Sequence, residues 1–432
     1  MAKSLTETKS LQEEQGKAWV TVQMPLPLMV SLNDAQQGFF ALCVKAGREV
    51  LSAMMEQDRV ALCGPKGVPN ATRRARRGGS VRGEITLGGR RIEMRRLRAH
   101  KVEGEELGLP SFQFATARDP LDRHTMASIA AGVSTRDYAG CLDRLPAQES
   151  ERAVSKSAVS RRFVAMSQQV MDTWMKRPLG ELDLCAVMID GVVFGEHTIL
   201  IALGISADAD KHVLGLREGS TENATVVQEL LSDLVERGLP TDRSLLFCID
   251  GSKALHKAIR NTFGERAVIQ RCQVHKVRNV TDHLPEHLRE GTRRTMQQAY
   301  EATTAELAQK QLDRLAHALE RDHPGAAASL REGMDETLTL QRLGITAALY
   351  RSLRSTNAIE NLNGLAVRFT RNVRRWQGGQ MLQRWIATAL HQAAKRFRRL
   401  RGHQEMKTLV AALKERDSNS VDRKLDTKKK AA

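Results

Sequence analysis

Between residues 184 and 280 the apolar positions come in short unbroken runs, the mark of strands buried on both faces. Leu184-Cys185-Ala186-Val187-Met188-Ile189 is the first run, followed by His197 to Ile205 and His212 to Leu216. Gly or Asp turns separate these three, so they are expected to pair as neighbours. From Glu222 to Arg237 the spacing changes to a helical one, with Val226, Val227, Leu230, Leu231 and Leu234 on one face and Gly238 as the stop. Leu245 to Ile249 is another strand, Ala254 to Phe263 another helix, and Ala267 to Gln270 a fifth strand. The order βββαβαβ requires parallel crossovers after the third strand and allows hairpins before it, giving a mixed α/β sheet with helices packed on it.

Elsewhere the pattern is helical. A helix-like stretch lies around Leu42 to Met55. A helical region is expected from about Leu121 to Met175, with Ser134-Thr135-Arg136-Asp137 in capping-box form and a second start at Ser155, where Val154 and Val159 are spaced as a hydrophobic staple. Two helices so joined suit a helix-turn-helix, whose second helix would offer Lys156, Ser157, Ser160, Arg161 and Arg162 to a major groove, although a plain helical subdomain has the same pattern. From Leu284 to Tyr350 the leucines at 307, 312, 315, 319 and 330 mark further helices, broken at His323-Pro324-Gly325. A last helical stretch runs from Ala358 to Arg401, and Asp417 to Ala432 has the composition of a disordered basic tail.

Charge narrows the partner. The 432 residues hold 67 Lys and Arg against 50 Asp and Glu, a formal net charge of +17, which favours a polyanion and disfavours acidic macromolecules. Thr72 to Lys101 is strongly basic, and within it Glu84 to Leu87 and Arg90 to Met94 alternate around Gly88-Gly89 as a two-residue hairpin. Such an Arg-studded hairpin serves either as a solvated surface or as a grip on phosphates. No run has the roughly 18 apolar residues of a membrane span, and the first residues lack a signal peptide's apolar centre. A cytoplasmic protein is expected. The six cysteines contain no Cys-x-x-Cys, so no disulfide framework is expected.

Two strands end in the same tripeptide, Ile189-Asp190-Gly191 and Ile249-Asp250-Gly251. One Asp-Gly after a strand is ordinary turn chemistry, but two on neighbouring strands bring carboxylates together, which repel unless a hard cation such as magnesium lies between them. A third carboxylate stands in Leu353-Arg354-Ser355-Thr356-Asn357-Ala358-Ile359-Glu360-Asn361-Leu362-Asn363. Asn357 and Glu360 are spaced there as a cap and its N3 acid, yet so dense a polar segment exceeds what a surface helix requires.

These motifs, with Arg271-Cys272-Gln273-Val274-His275-Lys276, resemble those of the Mutator-type DDE transposases of bacterial insertion sequences, from about Asp119 onward. Asp190 and Asp250 are 60 residues apart and Glu360 follows 110 later, room for the helical insertion that the family places there. The resemblance implies a ribonuclease-H-like catalytic domain with an all-helical insertion, preceded by a helical DNA-binding region. The corresponding divisions are 1–118 with the basic hairpin, 119–180 binding DNA, 181–283 the first part of the core, 284–350 the insertion, 351–415 the C-terminal catalytic helices and 416–432 the tail.

It further implies that Asp190, Asp250 and Glu360 bind two Mg2+ ions, with Mn2+ able to substitute, for cleavage and strand transfer at the element's ends. His275 is placed near the scissile phosphate with Cys272 beneath it, or else both are satisfied in the core. A zinc site at Cys272-x-x-His275 lacks two further ligands. Lys156, Ser157, Arg161, Arg162, Arg354, Asn357, Arg368 and Arg371 are expected on double-stranded DNA, both element ends and target. Arg374, Arg375, Arg384, Arg396, Arg398, Arg399 and Arg401 extend the basic surface, while Trp376 and Trp385 are expected as core or interface anchors. A homo-oligomer, no membrane and association with the bacterial nucleoid follow by the same likeness. The competing functions are a ribonuclease-H-like nuclease without strand transfer and a catalytically inactive DNA-binding protein.

Overall fold

The computed structural model describes residues 32–68, 73–87, 90–101, 103–117, 128–129, 138, 151–153, 155–219, 224–373 and 375–431. The chain divides into two compact units, one of residues 1–129 and 133–163, the other of 130–132 and 164–432.

In the first unit α1 (Leu32–Cys63) lies with β1 (Ala75–Leu87), β2 (Arg90–Lys101), β3 (Glu106–Leu107), α2 (Pro110–Ala117) and β4 (Glu151–Ala153). β1 and β2 form an antiparallel hairpin in which Leu87 faces Arg90 across the two-residue connection. Val44, Leu51 and Met55 of α1 pack on Ile85, Leu87, Ile92 and Met94 of the hairpin, so alternate strand residues are apolar because a helix covers that side. The hairpin's cations are largely engaged within the protein. Arg77 meets Glu56 at 2.6 Å, Arg82 meets Glu93 at 3.3 Å, and Arg96 and Arg98 share Glu106 at 2.9 and 2.8 Å. Most of these acids lie outside the basic stretch, which is why its composition overstates its free charge.

α3 (Lys156–Thr173) starts where Ser155 accepts the Ala158 N–H at 3.3 Å. The expected first helix at Ser134 and the residue Val154 lie outside the described residues.

The second unit is built on a five-stranded sheet. β5 (Leu184–Phe194), β6 (His197–Ser206), β7 (Lys211–Gly219), β8 (Leu245–Ile249) and β9 (Ala267–Arg271) stand in the order β7-β6-β5-β8-β9. β5, β6 and β7 pair antiparallel, and β5–β8 and β8–β9 pair parallel. α4 (Ala224–Glu236) and α5 (Lys253–Phe263) provide the crossovers. Both pack on one face of the sheet, against Val187, Ile189, Phe247 and Ile249.

The opposite face, carrying Ala186, Met188, Leu246 and Cys248, is covered by α12 (Ala347–Leu353), α13 (Asn357–Thr370) and α14 (Gly379–Ala394). Between β9 and α12 come α6 (Gln273–Asp282), α7 (Glu286–Tyr300), α8 (Ala305–Glu320), α9 (Pro324–Arg331), α10 (Met334–Thr337) and α11 (Thr339–Arg342). These helices have their own core, including Val280, Met296, Leu312, Leu330 and Leu338.

Three expectations need correction. Asp190 does not end its strand: β5 continues through Val192 and Val193 to Phe194 because β6 pairs with it along that length. The stretch from Ala358 to Arg401 is two helices, interrupted around Gly378, whose φ of 138° favours glycine. The C-terminal segment is α15 (Met406–Ala431), a continuous helix rather than a disordered tail. Its Asp417 accepts the backbone N–H and the hydroxyl of Ser244, at 3.0 and 2.7 Å, a distant partner that local composition does not disclose. Trp376 meets Phe194 edge to face with ring centroids 6.2 Å apart, an anchoring role as expected. Among the described residues no helix is long and apolar enough to cross a membrane.

Candidate active site

The β5–β8 ladder pairs Ala186 with Leu246 and Met188 with Cys248. Continuing that register by two residues sets Asp190 level with Asp250, on the face to which Met188 and Cys248 point. β8 ends at Ile249, so Asp250 leaves the sheet there, and its Oδ1 accepts the Ser252 N–H at 2.8 Å in the turn that starts α5. Gly251 has a φ of 113°, and a Cβ on it would collide with the Arg271 guanidinium. The Asp-Gly echo therefore has two local causes: Gly191 lies within a strand, whereas Gly251 is required by backbone conformation and close packing.

The helix over this face is α13. Ile359, Leu362 and Ala366 enter the core beneath it, and Asn363 donates to Asp190 Oδ2 at 2.8 Å. The capping box expected of Asn357 and Glu360 is not formed. Thr356 occupies the N-cap position, and its hydroxyl instead donates to Glu360 Oε1 at 2.6 Å. Thr356 also stands 3.4 Å from His275 Nδ1, which is 3.8 Å from Glu360 Oε1.

His275 and Cys272 arrive on α6, directly after β9. The Cys272 N–H bonds the Ile249 carbonyl at 2.7 Å, and the Gln273 N–H bonds the Arg354 carbonyl at 2.9 Å. The first ties the start of α6 to the end of β8, and the second joins the two motifs that flank the helical insertion. Burial pushes the Cys272 thiol up, but hydrogen bonds with His275 and Thr356 outweigh it and bring the thiol below its ordinary value. The partner effect on His275 is upward, through the Cys272 hydrogen bond and against burial, with Glu360 and Asp250 adding to it.

Asp190 feels its neighbours most clearly. Burial, then the charge of Asp250 and that of Glu360, push its carboxyl up to about 6, with the Gly191 N–H and His275 opposing. The three acids thus share one electrostatic environment. Among the described residues, however, no three His, Cys, Asp or Glu side chains are gathered closely enough to hold a metal ion. Glu360 is held by Thr356 instead. In donor chemistry the set suits a hard divalent cation, since it consists of carboxylate oxygens raised in energy by mutual repulsion.

The rest of the Arg271-to-Lys276 motif is structural. Arg271 donates to the Glu332 carbonyl and carboxylate at 3.1 and 3.0 Å. Gln273 Nε2 donates to the Thr337 carbonyl and to Tyr350 Oη, at 2.9 and 2.8 Å. Lys276, fully buried, donates to the Ser329 carbonyl at 2.6 Å and to that of Glu332. One face of this motif bolts the helical insertion to the sheet while Cys272 and His275 meet Thr356.

The expected DNA-contacting residues fall in two groups. Lys156, Ser157 and Arg161 are exposed on the first turns of α3 and Arg162 is half-buried, over buried Val159 and Phe163. In the second unit Asn357, Arg368 and Arg371 are exposed along or just beyond α13, and Arg354 lies over the Tyr350 ring at 5.6 Å. Arg374 lies outside the described residues. Asn363 and Thr356 escaped the sequence assignment. Both lay in the polar motif, but only the folded helix shows which carboxylate each one holds.

The family model for "Transposase, Mutator family" matches residues 30–399, starting well before Asp119. A probable transposase for an insertion sequence element of Corynebacterium diphtheriae is 29% identical over 260 residues, covering 58% of this chain and 73% of that protein. The transposase for insertion sequence element IS256 in transposon Tn4001 of Staphylococcus aureus is 30% identical over 243 residues, 54% of this chain and 60% of the relative. The transposase for insertion sequence element ISRM5 of Rhizobium meliloti is 27% identical over 324 residues, 73% of this chain and 77% of the relative.

Proposed function

The chain belongs to the Mutator family of transposases, and from that premise we propose that it cuts the ends of an insertion sequence and joins their 3′-hydroxyls to target DNA. The observation that supports the active-site assignment is the parallel pairing of β5 with β8, Met188 opposite Cys248, since Asp190 and Asp250 each follow two residues later in the chain. The order βββαβαβ and the sheet order β7-β6-β5-β8-β9 support a ribonuclease-H-like core.

Asp190, Asp250 and Glu360 would hold two Mg2+ ions, or Mn2+ in their place, once Glu360 turns from Thr356. Bound there, such ions activate the attacking water or 3′-hydroxyl and stabilise the leaving oxygen. Asn363 keeps the Asp190 carboxylate oriented, and Thr356 governs where Glu360 points. His275, on α6 beside Thr356, lies where it can hydrogen-bond a phosphate oxygen or move a proton. Lys156, Ser157, Arg161 and Arg162 would contact the element ends, with Arg354, Asn357, Arg368 and Arg371 on the backbone near the cut. Two ends must be brought together, so the working form is a homo-oligomer acting at the nucleoid.

The experiment is to incubate purified protein and its Glu360→Gln variant with Mg2+ and DNA carrying the two ends that flank the gene, then map breaks and joints. End-specific cleavage and joining that disappear in the variant support the proposal. Cleavage without joining points to a nuclease, and binding with neither to a DNA-binding protein.

A further inference from the structure

Beside the active site, α6 and α7 border a pocket of about 320 Å3 whose lining includes Arg278, Arg289, Arg293 and Arg354. Gln273, Val277 and Tyr300 contribute to the same pocket, and Asp282 is its single acid. This is an unusual concentration of guanidinium groups for a structural crevice. Arg293 reaches Glu290 at 3.2 Å in an exposed pair, and Arg289 donates to the Leu284 carbonyl. Among the described residues no carboxylate pairs with Arg278, Arg289 or Arg354. Three of the four arginines therefore face the pocket without a carboxylate partner, two of them exposed, and guanidinium groups so placed are available to an anion.

The pocket also has a built floor. Gln273 is 3% exposed and is held there by its amide nitrogen, which is committed to Thr337 and Tyr350. The volume is about ten times the roughly 30 Å3 occupied by one water, ample for a sugar-phosphate unit. Val274 is 44% exposed on the same wall, an apolar surface for the sugar. The pocket shares α6 with His275 and shares Arg354 with the segment leading to Glu360.

We propose that this pocket binds the sugar-phosphate backbone of the substrate DNA next to the cut, so that the helical insertion is a second grip on the nucleic acid as well as a support for the active site. The proposal rests on the transposase function above. Arg278 and Arg293 act through their charge at exposed positions; Arg354 is packed on Tyr350 and is left intact in the test.

The test measures the affinity of the full chain for an element-end duplex without divalent cations, from 50 to 300 mM salt. Wild type is compared with Arg278→Gln/Arg293→Gln and with a control, Arg294→Gln/Arg314→Gln, which removes equal charge from α7 and α8 outside the pocket. Loss of two phosphate contacts lowers the slope of log affinity against log salt by about 1.8, and the control keeps the wild-type slope. An unchanged slope in the pocket variant overturns the proposal, as does an equal drop in the control. Stabilisation of the protein by inorganic phosphate through these arginines, with DNA binding unaltered, makes the pocket a free-anion site and overturns it too. If the wild-type chain binds no DNA, the transposase function fails along with it, and that outcome is distinguished by the wild-type curve alone.

Discussion

Asn363 on α13 donates its side-chain amide to Asp190 Oδ2 at 2.8 Å, across 173 residues of sequence. A helix formed after the insertion thereby fixes a carboxylate on the first strand of the sheet. Asn363 is 6% exposed, and its Oδ1 has no partner among the described residues, so the residue is kept for its position rather than for solvent contact.

Asn363→Ala is expected to slow end cleavage at least tenfold while DNA affinity stays near wild type, because Asp190 loses its orientation. The stability cost is about 1 kcal/mol, the usual net value of one hydrogen bond. Asn363→Asp is expected to be worse, since it adds a carboxylate to an already repulsive group. Cleavage rates and urea denaturation measure both effects; wild-type cleavage by Asn363→Ala would remove the positioning role.

Asp190 occupies a site that burial and two neighbouring carboxylates make unfavourable for its charge. Without divalent cations, Asp190→Asn is therefore expected to be more stable than wild type, by roughly 1–3 kcal/mol from the relief of that strain. Added Mg2+ should raise the melting temperature of wild type and leave the variant unmoved, because only a cation bound to the native state stabilises it. Equal responses of the two proteins to Mg2+ would place the ion elsewhere.

Much of this arrangement was legible in the sequence because sheet burial writes itself as apolar runs. β5, β6, β8 and β9 stand close to where Leu184, His197, Leu245 and Ala267 begin such runs, and Asp190 and Asp250 were marked by their position after them. Asn363 and Thr356 were not, because a polar residue on an amphipathic helix gains meaning only from what the opposite surface carries. Arg96 and Arg98 misled for a similar reason: Glu106, which neutralises them, lies on β3 outside the basic stretch.

Asp417 shows the same limit at the C-terminus. Its segment is polar enough to read as disordered, yet its carboxylate accepts two hydrogen bonds from Ser244 at the start of β8. Asp417→Ala strands the buried Ser244 N–H and hydroxyl and is expected to cost about 1–3 kcal/mol. Limited proteolysis should then cut α15 earlier than in wild type. Identical digestion of the two proteins would show that the clamp does not hold the helix.

Lys276 provides a test that separates scaffold from chemistry. Burial, with the Arg271 charge, pushes its ammonium down to about 8 from 10.5, against the pull of Glu332. Between those two values the unfolded chain holds a proton that the folded chain has released, so ν_U exceeds ν_N and this group's contribution to stability rises with pH. The penalty is full below about 8 and relieved above 10.5, a span of up to about 3 kcal/mol at 1.36 kcal/mol per unit. Lys276→Met loses the bonds to Ser329 and Glu332 but also the buried charge, so at pH 7 it should lie within about 1–2 kcal/mol of wild type. From pH 8 to 10.5 the stability difference should move in favour of wild type. Parallel urea denaturation series would show that slope, and two curves that run level would mean that Lys276 keeps its ordinary proton affinity inside the fold.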